Sequence, residues 1–369
     1  MKMTAAVLRE YCEPLTIEEV DLLPPRAGEV MVKYEATGIC HSDLWRAQGK
    51  RVSVLPLVLG HEGAGEIVEV GSDVSHLHPG DRVAVTTVCP CGKCFYCDRG
   101  EWHLCTASAR LLNSAAMLDG TTRLRAKDGQ EIHHYVVSSF AQYAVMPATC
   151  AIKIPQQMSL RVAALLGCGV LTGVGLVFNK AKVKPGSTCA IIGTGGIGLN
   201  AIQACALSGA RKVVAVDINT ERLELARTFG ATHTINTMEE DAIAVIRGLT
   251  DGEGVDYSFE AVGNVATMRQ AFDAVRRGGI CTVVGVASVE AQLVIPAQEL
   301  TIEDKVLQGA MAPFYPQRDI PILCDLYLEG KLKLDELITR NYQLTEINDA
   351  FKDMEEGKLA RGLLAHSTL

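Results

Sequence analysis

Four cysteines crowd into one short stretch of the chain. In CPCGKCFYCDRGEWHLC, Cys91, Cys94 and Cys97 are each separated by two residues, and Cys105 follows eight positions later. Four thiolates at such spacing close a tetrahedral zinc shell with no open position, a site that supports folding rather than chemistry. A zinc ribbon that binds nucleic acid is the competing use of such a knuckle, but here a single knuckle sits in an acidic chain without a flanking basic face. Cys89, outside the spacing, reads as a bystander. Of the chain's thirteen cysteines, most of those outside the lobe stand alone in apolar runs, which is not a disulfide framework.

A zinc that does chemistry needs three protein ligands and an open position for substrate, so its ligands must be scattered. Candidates are Cys40 in GICHSDLW, His61 in GHEGAGEIVEVG and Cys168 in LLGCGV. Taken singly, each has a plainer reading: a buried cysteine is often core, and a histidine can be satisfied by a backbone carbonyl.

A third constellation suits a dinucleotide. CAIIGTGGIGLNAIQACALSG starts as a strand, turns at Gly193-x-Gly195-Gly196-x-Gly198 and continues as a helical run. Such glycines give a tight turn, let backbone approach a pyrophosphate and let helix pack on strand, with the phosphates on the helix N-terminus. Asp217 ends the next strand nineteen residues past Gly198, where a carboxylate takes both ribose hydroxyls and disfavours a 2′-phosphate. NAD is therefore expected rather than NADP. Arg222 is the nearest cation, better placed over the adenine or on the helix surface than on a phosphate.

These residues need two kinds of scaffold. To about residue 150, short alternating runs such as Glu29 to Glu35 and Gly65 to Val70 predict an irregular, mainly β unit. From about 187 to 310, apolar strands at Thr188 to Gly193, Lys212 to Asp217, Val255 to Glu260 and Gly279 to Gly285 alternate with helical patterns, predicting an α/β, doubly wound parallel sheet. Amphipathic stretches at Asp319 to Gly330 and Ile347 to Gly357 predict a helical tail that packs back on the first domain. The expected division is 1–169, with the cysteine lobe at about 89–106, then 170–312 and 313–369, the two lobes meeting across a cleft. At 369 residues and 48% hydrophobic composition both domains can hold a core. A formal charge of -8 argues against nucleic acid or an anionic membrane surface as partner. The N-terminus lacks a signal-peptide core, and the most apolar stretch, Ala163 to Val177, is broken by glycines; the expectation is an unprocessed cytoplasmic protein without a membrane span.

Taken in order, CHSD, GHEGAGEIVEVG, the four-cysteine lobe, GCGVLTGVG and GTGGIG resemble the zinc-containing alcohol dehydrogenase family of the medium-chain dehydrogenase/reductase superfamily, over nearly the whole chain. The resemblance implies a GroES-like catalytic domain around a Rossmann domain, with two zinc ions per chain. It makes Cys40, His61 and Cys168 the catalytic zinc ligands, Asp43 the carboxylate that orients His61, and Glu62 a neighbour that can approach the metal. Ser42 becomes the first step of a proton relay, and Thr172 and Arg361 touch the cofactor near nicotinamide and pyrophosphate. The activity implied is reversible hydride transfer between a primary or aromatic alcohol and NAD through an alkoxide held on zinc.

The pattern breaks at Trp45, where many liver-type members keep a relay histidine; Trp cannot carry that proton. His41 is the substitute outlet, and similar histidines contact pyrophosphate. Counting from the ligands, pocket and mouth would include Thr87, Leu104, Arg110, His134 and Tyr135, with Arg51 near the rim. Two arginines there suggest a substrate with an anionic or polar group; the plainer reading puts both in solvent. The long, turn-rich Leu118 to His134 segment resembles the longer, usually dimeric members, whose Rossmann sheets join through a strand near Gln292 to Ile295, so a homodimer is expected, with a tetramer as the other choice. Two other readings stay open: oxidation of formaldehyde after it has joined a small thiol, which uses the same motifs, and a zinc-free quinone or enoyl reductase. A non-enzymatic dinucleotide sensor would not need Ser42, Asp43 and the open zinc site together.

Overall fold

Charged and apolar residues alternate along EVMVKYEATGI, and this segment forms the eleven-residue strand Glu29–Ile39. Val30, Val32 and Tyr34 feed one apolar cluster and Met31 a second, while Lys33 and Glu35 are exposed. The structure is a computed structural model and describes residues 1–366. The chain divides into two units: Met1–Cys168 with Tyr315–Leu369, and Gly169–Phe314.

In the first unit, Glu29–Ile39 lies inside a seven-stranded sheet. It pairs antiparallel with Glu62–Val70, Tyr143–Pro147 and Arg361–Ala365; beyond the last of these, Ile338–Gln343 adds a parallel strand. A closed barrel is built beside it from Lys2–Leu8, Thr16–Leu22, Leu57–Val58, Leu124–Arg125 and Glu131–His134. The turn-rich segment 118–134 is thus no simple loop. Its hairpin completes the barrel, and it is tied down by Arg123, whose fully buried guanidinium donates to Glu29 and, at 2.8 Å, to Asp119. The amphipathic tail forms the helices Pro316–Leu328 and Ile347–Glu355, the second packing Ile347, Ala350, Phe351 and Met354 into the same cluster as Ile39 and Leu364.

The second unit is a six-stranded parallel sheet in the order His233–Asn236, Lys212–Asp217, Thr188–Ile192, Val255–Glu260, Val275–Val283, Val306–Gly309. Parallel sheets are covered on both faces, and Thr188–Ile192 is accordingly buried at every residue. The segment expected as a joining strand at Gln292 to Ile295 has no strand structure; the outermost strand is Val306–Gly309. An edge strand draws its hydrogen bonds from a neighbour, and in a single chain this segment has none to pair with. Among the described residues no single helix is long and apolar enough to cross a membrane.

Candidate active site

Three turns of the first unit bring four ligand groups together. Cys40 precedes the helix His41–Ala47, His61 precedes the strand Glu62–Val70, and Cys168 follows the turn Ala164–Gly167. With Glu62, their ligand atoms all lie within 4.8 Å of one another. Glycine makes the approach feasible. Gly60 has φ +88, and a Cβ on it would sit 2.5 Å from the Phe140 nitrogen. A Cβ on Gly167 would be 2.0 Å from the Val85 carbonyl oxygen.

Asp43 sets the orientation of His61. Its carboxylate is fully buried, accepts a bond from the Gly60 N–H at 3.0 Å through Oδ1, and lies 2.9 Å from His61 Nδ1 through Oδ2. The imidazole is thereby held with Nε2 toward Cys40 and Cys168. Burial alone would depress His61, but the charge of Asp43, reinforced by Tyr135 and Cys40, holds it well above its ordinary value. The Cys40 thiol lies well below the ordinary range, through a hydrogen bond from Cys168 and the nearby His61, against the opposing effect of burial. Ser42 Oγ is 3.1 Å from Cys40 Sγ and 3.2 Å from His61 Nε2.

Glu62 is fully buried and paired with the Arg361 guanidinium. Arg361, expected near the pyrophosphate, is held at this carboxylate beside the cysteines. His41 is exposed, its ring 6.5 Å from that of Trp45, and Thr172 is buried in the helix Gly169–Gly175 of the second unit.

Arg110 is exposed and donates to the Leu118 carbonyl at 3.0 Å; Arg51 and Leu104 are exposed, Thr87 half-buried. His134 is buried inside the barrel, not in a pocket: its Nε2 accepts the Arg123 N–H, and burial depresses it to about 3. Tyr135 does reach the site, its ring edge-on to His61 with centroids 5.3 Å apart. Sequence reasoning missed Arg46, whose guanidinium lies 4.3 Å above the Tyr135 ring. Its spacing of four from Ser42 on a helix was the available signal.

The second cysteine group has Cys91, Cys94, Cys97 and Cys105 with their ligand atoms within 4.8 Å of one another. Backbone N–H groups of Cys97 and Thr106 hold the Cys94 thiol at about 5, which suits a thiolate donor. All four donors are sulfur and none is left for substrate, so the group fits a closed zinc shell. Cys89 is no bystander: it forms a disulfide with Cys150, because strand Ala151–Lys153 runs beside Arg82–Val85 and brings residue 150 to the root of the lobe.

In the second unit, Gly193 has φ +93, and a Cβ on Gly198 would lie 1.9 Å from the Gly193 carbonyl oxygen. At Gly195 a Cβ would meet nothing within 4 Å, leaving open space at the mouth of the helix Gly196–Leu207, whose first N–H groups receive no side-chain cap. That space and those donors fit a pyrophosphate. Asp217 is braced by the Thr194 N–H at 2.7 Å and hydroxyl at 2.8 Å, and by the N–H groups of Ile218 and Asn219. Arg222 is in the first turn of the next helix, its N–H capped by the Asn219 side chain at 3.1 Å.

Two family models match this chain: an alcohol dehydrogenase GroES-like domain over residues 26–156 and a zinc-binding dehydrogenase domain over residues 196–329. The S-(hydroxymethyl)glutathione dehydrogenases of Synechocystis sp. and Paracoccus denitrificans are each 38% identical to it, covering 99% of this chain and all of theirs. Among solved structures, an alcohol dehydrogenase zinc-binding domain protein from Burkholderia ambifaria superposes with TM-score 0.96 at 37% identity, and benzyl alcohol dehydrogenase from Acinetobacter calcoaceticus with 0.95 at 33%, both over the full length of each chain. Two family models that together span most of the chain, and full-length relatives at 38% identity, show that this chain belongs to the zinc-containing alcohol dehydrogenases of the medium-chain superfamily.

Proposed function

We propose that the chain oxidises a hydroxymethyl group reversibly with NAD, its leading substrate being the adduct of formaldehyde with glutathione. The reaction class rests on one observation: Ser42 Oγ stands within hydrogen-bond distance of both Cys40 and His61, in a donor set that Cys168 and Glu62 complete. The substrate rests on the likeness to the S-(hydroxymethyl)glutathione dehydrogenases.

Cys40, His61 and Cys168 would hold a catalytic zinc and the four lobe cysteines a structural one, two per chain. Gly193, Gly195, Gly196, Gly198 and Asp217 would hold NAD, with Arg222 beside the adenine and Thr172 near the nicotinamide. Once bound, zinc lowers the pKa of the substrate hydroxyl and NAD accepts the hydride. The chain's own residues do the rest. Ser42 Oγ takes the substrate's proton, Asp43 fixes the His61 tautomer, and the Glu62–Arg361 pair keeps a carboxylate beside the ligands from standing as a lone buried charge. Trp45 has only a ring N–H and cannot pass the proton on, so exposed His41 is the outlet. A homodimer joined through the second unit's sheet edge completes the reading.

A second reading, oxidation of an aromatic alcohol, is favoured by the full-length likeness to benzyl alcohol dehydrogenase. Initial rates of NAD reduction with formaldehyde plus glutathione, formaldehyde alone, benzyl alcohol and a secondary alcohol separate the two. Activity that needs glutathione supports the first, benzyl alcohol without glutathione the second. Activity that survives removal of all zinc by a chelator overturns both.

A further inference from the structure

Two arginines are buried near the reaction centre: Arg361 is paired with Glu62, whereas the charge of Arg46 has no counter-ion among the described residues. Arg46 is 2% exposed. Its Nη1 donates to the Ser53 hydroxyl, its guanidinium covers Tyr135 at 4.3 Å, and its Nε has no hydrogen-bond partner. Among the described residues no carboxylate lies within 4.0 Å of it. Taking a lone cation out of water costs several kcal/mol, which a face-on aromatic ring and a single hydroxyl offset only in part.

Position says where the missing anion would sit. Arg46 is one helical turn from Ser42, so the two share a face of the helix His41–Ala47. A continuous path joins them: Ser42 to His61 Nε2 at 3.2 Å, His61 to Tyr135 at 5.3 Å between centroids, and Tyr135 to Arg46 at 4.3 Å. Resting on the dehydrogenase reading above, we propose that Arg46 is the receptor for a carboxylate on the substrate, bound with its hydroxymethyl end at Ser42 and its anionic end against the guanidinium. The Arg46 Nε–H, buried and without a hydrogen-bond partner, is a donor still to be satisfied, and a carboxylate would satisfy it by charge-assisted recognition.

The test compares benzyl alcohol with 4-(hydroxymethyl)benzoate in wild type, Arg46→Gln, Arg46→Lys and Arg46→Met, each with zinc content and thermal midpoint measured. In wild type kcat/KM should favour the carboxylate, and Arg46→Gln should cut that preference at least tenfold through KM, leaving benzyl alcohol within about threefold. Arg46→Lys should recover part of the preference. An unchanged ratio, or equal losses on both alcohols, overturns the proposal and leaves Arg46 as packing for Tyr135. Thermal stabilisation by the carboxylate is read in parallel. Stabilised wild type with no turnover sinks the dehydrogenase reading and keeps the receptor; turnover of benzyl alcohol without any stabilisation by the carboxylate does the reverse. Should Arg46→Gln not fold, Arg46→Met and Arg46→Lys carry the same comparison.

Discussion

Asp43 and Ser42 are neighbours in the chain with separable tasks. Asp43→Asn keeps an acceptor for the Gly60 N–H but loses the charge facing His61 Nδ1. Zinc affinity, measured by competition with a chromophoric chelator, should fall about 10- to 100-fold. Ser42→Ala should leave zinc bound and lower kcat about 10²- to 10⁴-fold, whereas Ser42→Thr, which keeps a hydroxyl, should retain most of the rate. Two buried histidines weaken the fold as the medium turns acid. Burial depresses His134 to about 3 and His366 to about 4. In the unfolded chain each takes up a proton near ~6.5. The unfolded state therefore binds more protons between that value and 4, and stability falls as pH falls through that window, by up to about 1.4 kcal/mol per pH unit for each group. The thermal midpoint should drop from pH 7 to pH 5, and His366→Asn should flatten the slope; an unchanged slope would remove His366 from the account. The cysteine and histidine motifs were legible at this scale because spacing and neighbouring glycines mark them. Arg46 and the partner of Cys89 were not, because burial without a counter-ion and a bond spanning 61 residues belong to the fold.

The cysteine lobe is an element with little of its own to hold it. Between Cys91 and Cys105 it contains two three-residue turns, Cys97–Arg99 and Trp102–Leu104, with Phe95 61% and Leu104 44% exposed. A segment without a core is folded by its metal. Chelation, or Cys97→Ser, should raise hydrogen exchange across residues 90–106 while the parallel strands of the second unit stay protected; protection unchanged in the lobe would assign it another support. The parallel strands were legible as elements because buried strands read as apolar runs between helical periods. The hairpin of Leu124–Arg125 and Glu131–His134 was not, since strands this short carry no period and the buried Arg123–Glu29 pair that anchors them joins residues far apart in sequence.

At the scale of the molecule, the Cys89–Cys150 disulfide fastens the root of the lobe to the sheet of the same unit. A bond closing a loop of this size is worth about 2–4 kcal/mol. A reductant that leaves zinc in place should lower the thermal midpoint by several degrees, and Cys150→Ala should melt alike with and without it; a wild type indifferent to reductant would show that the bond contributes nothing. The two units differ in texture from about residue 187, whereas the strand expected at Gln292 to Ile295 is absent from the single chain.

The strand Arg361–Ala365 lies between Glu29–Ile39 and Ile338–Gln343 and carries Arg361 to Glu62. On a ribosome, this strand is made after the whole second unit and must still enter a sheet begun before it. The dinucleotide unit, Gly169–Phe314, emerges uninterrupted and can close on its own. The unit begun before it must wait with the Ala36–Ile39 end of Glu29–Ile39 unpaired on one side, for on the order of 10–40 s at typical elongation rates. An uncovered strand is a template for pairing with the wrong chain. Yield in the cell is therefore governed by how nascent chains are shielded during that interval, and slower translation past residue 168 lengthens the hazard instead of relieving it.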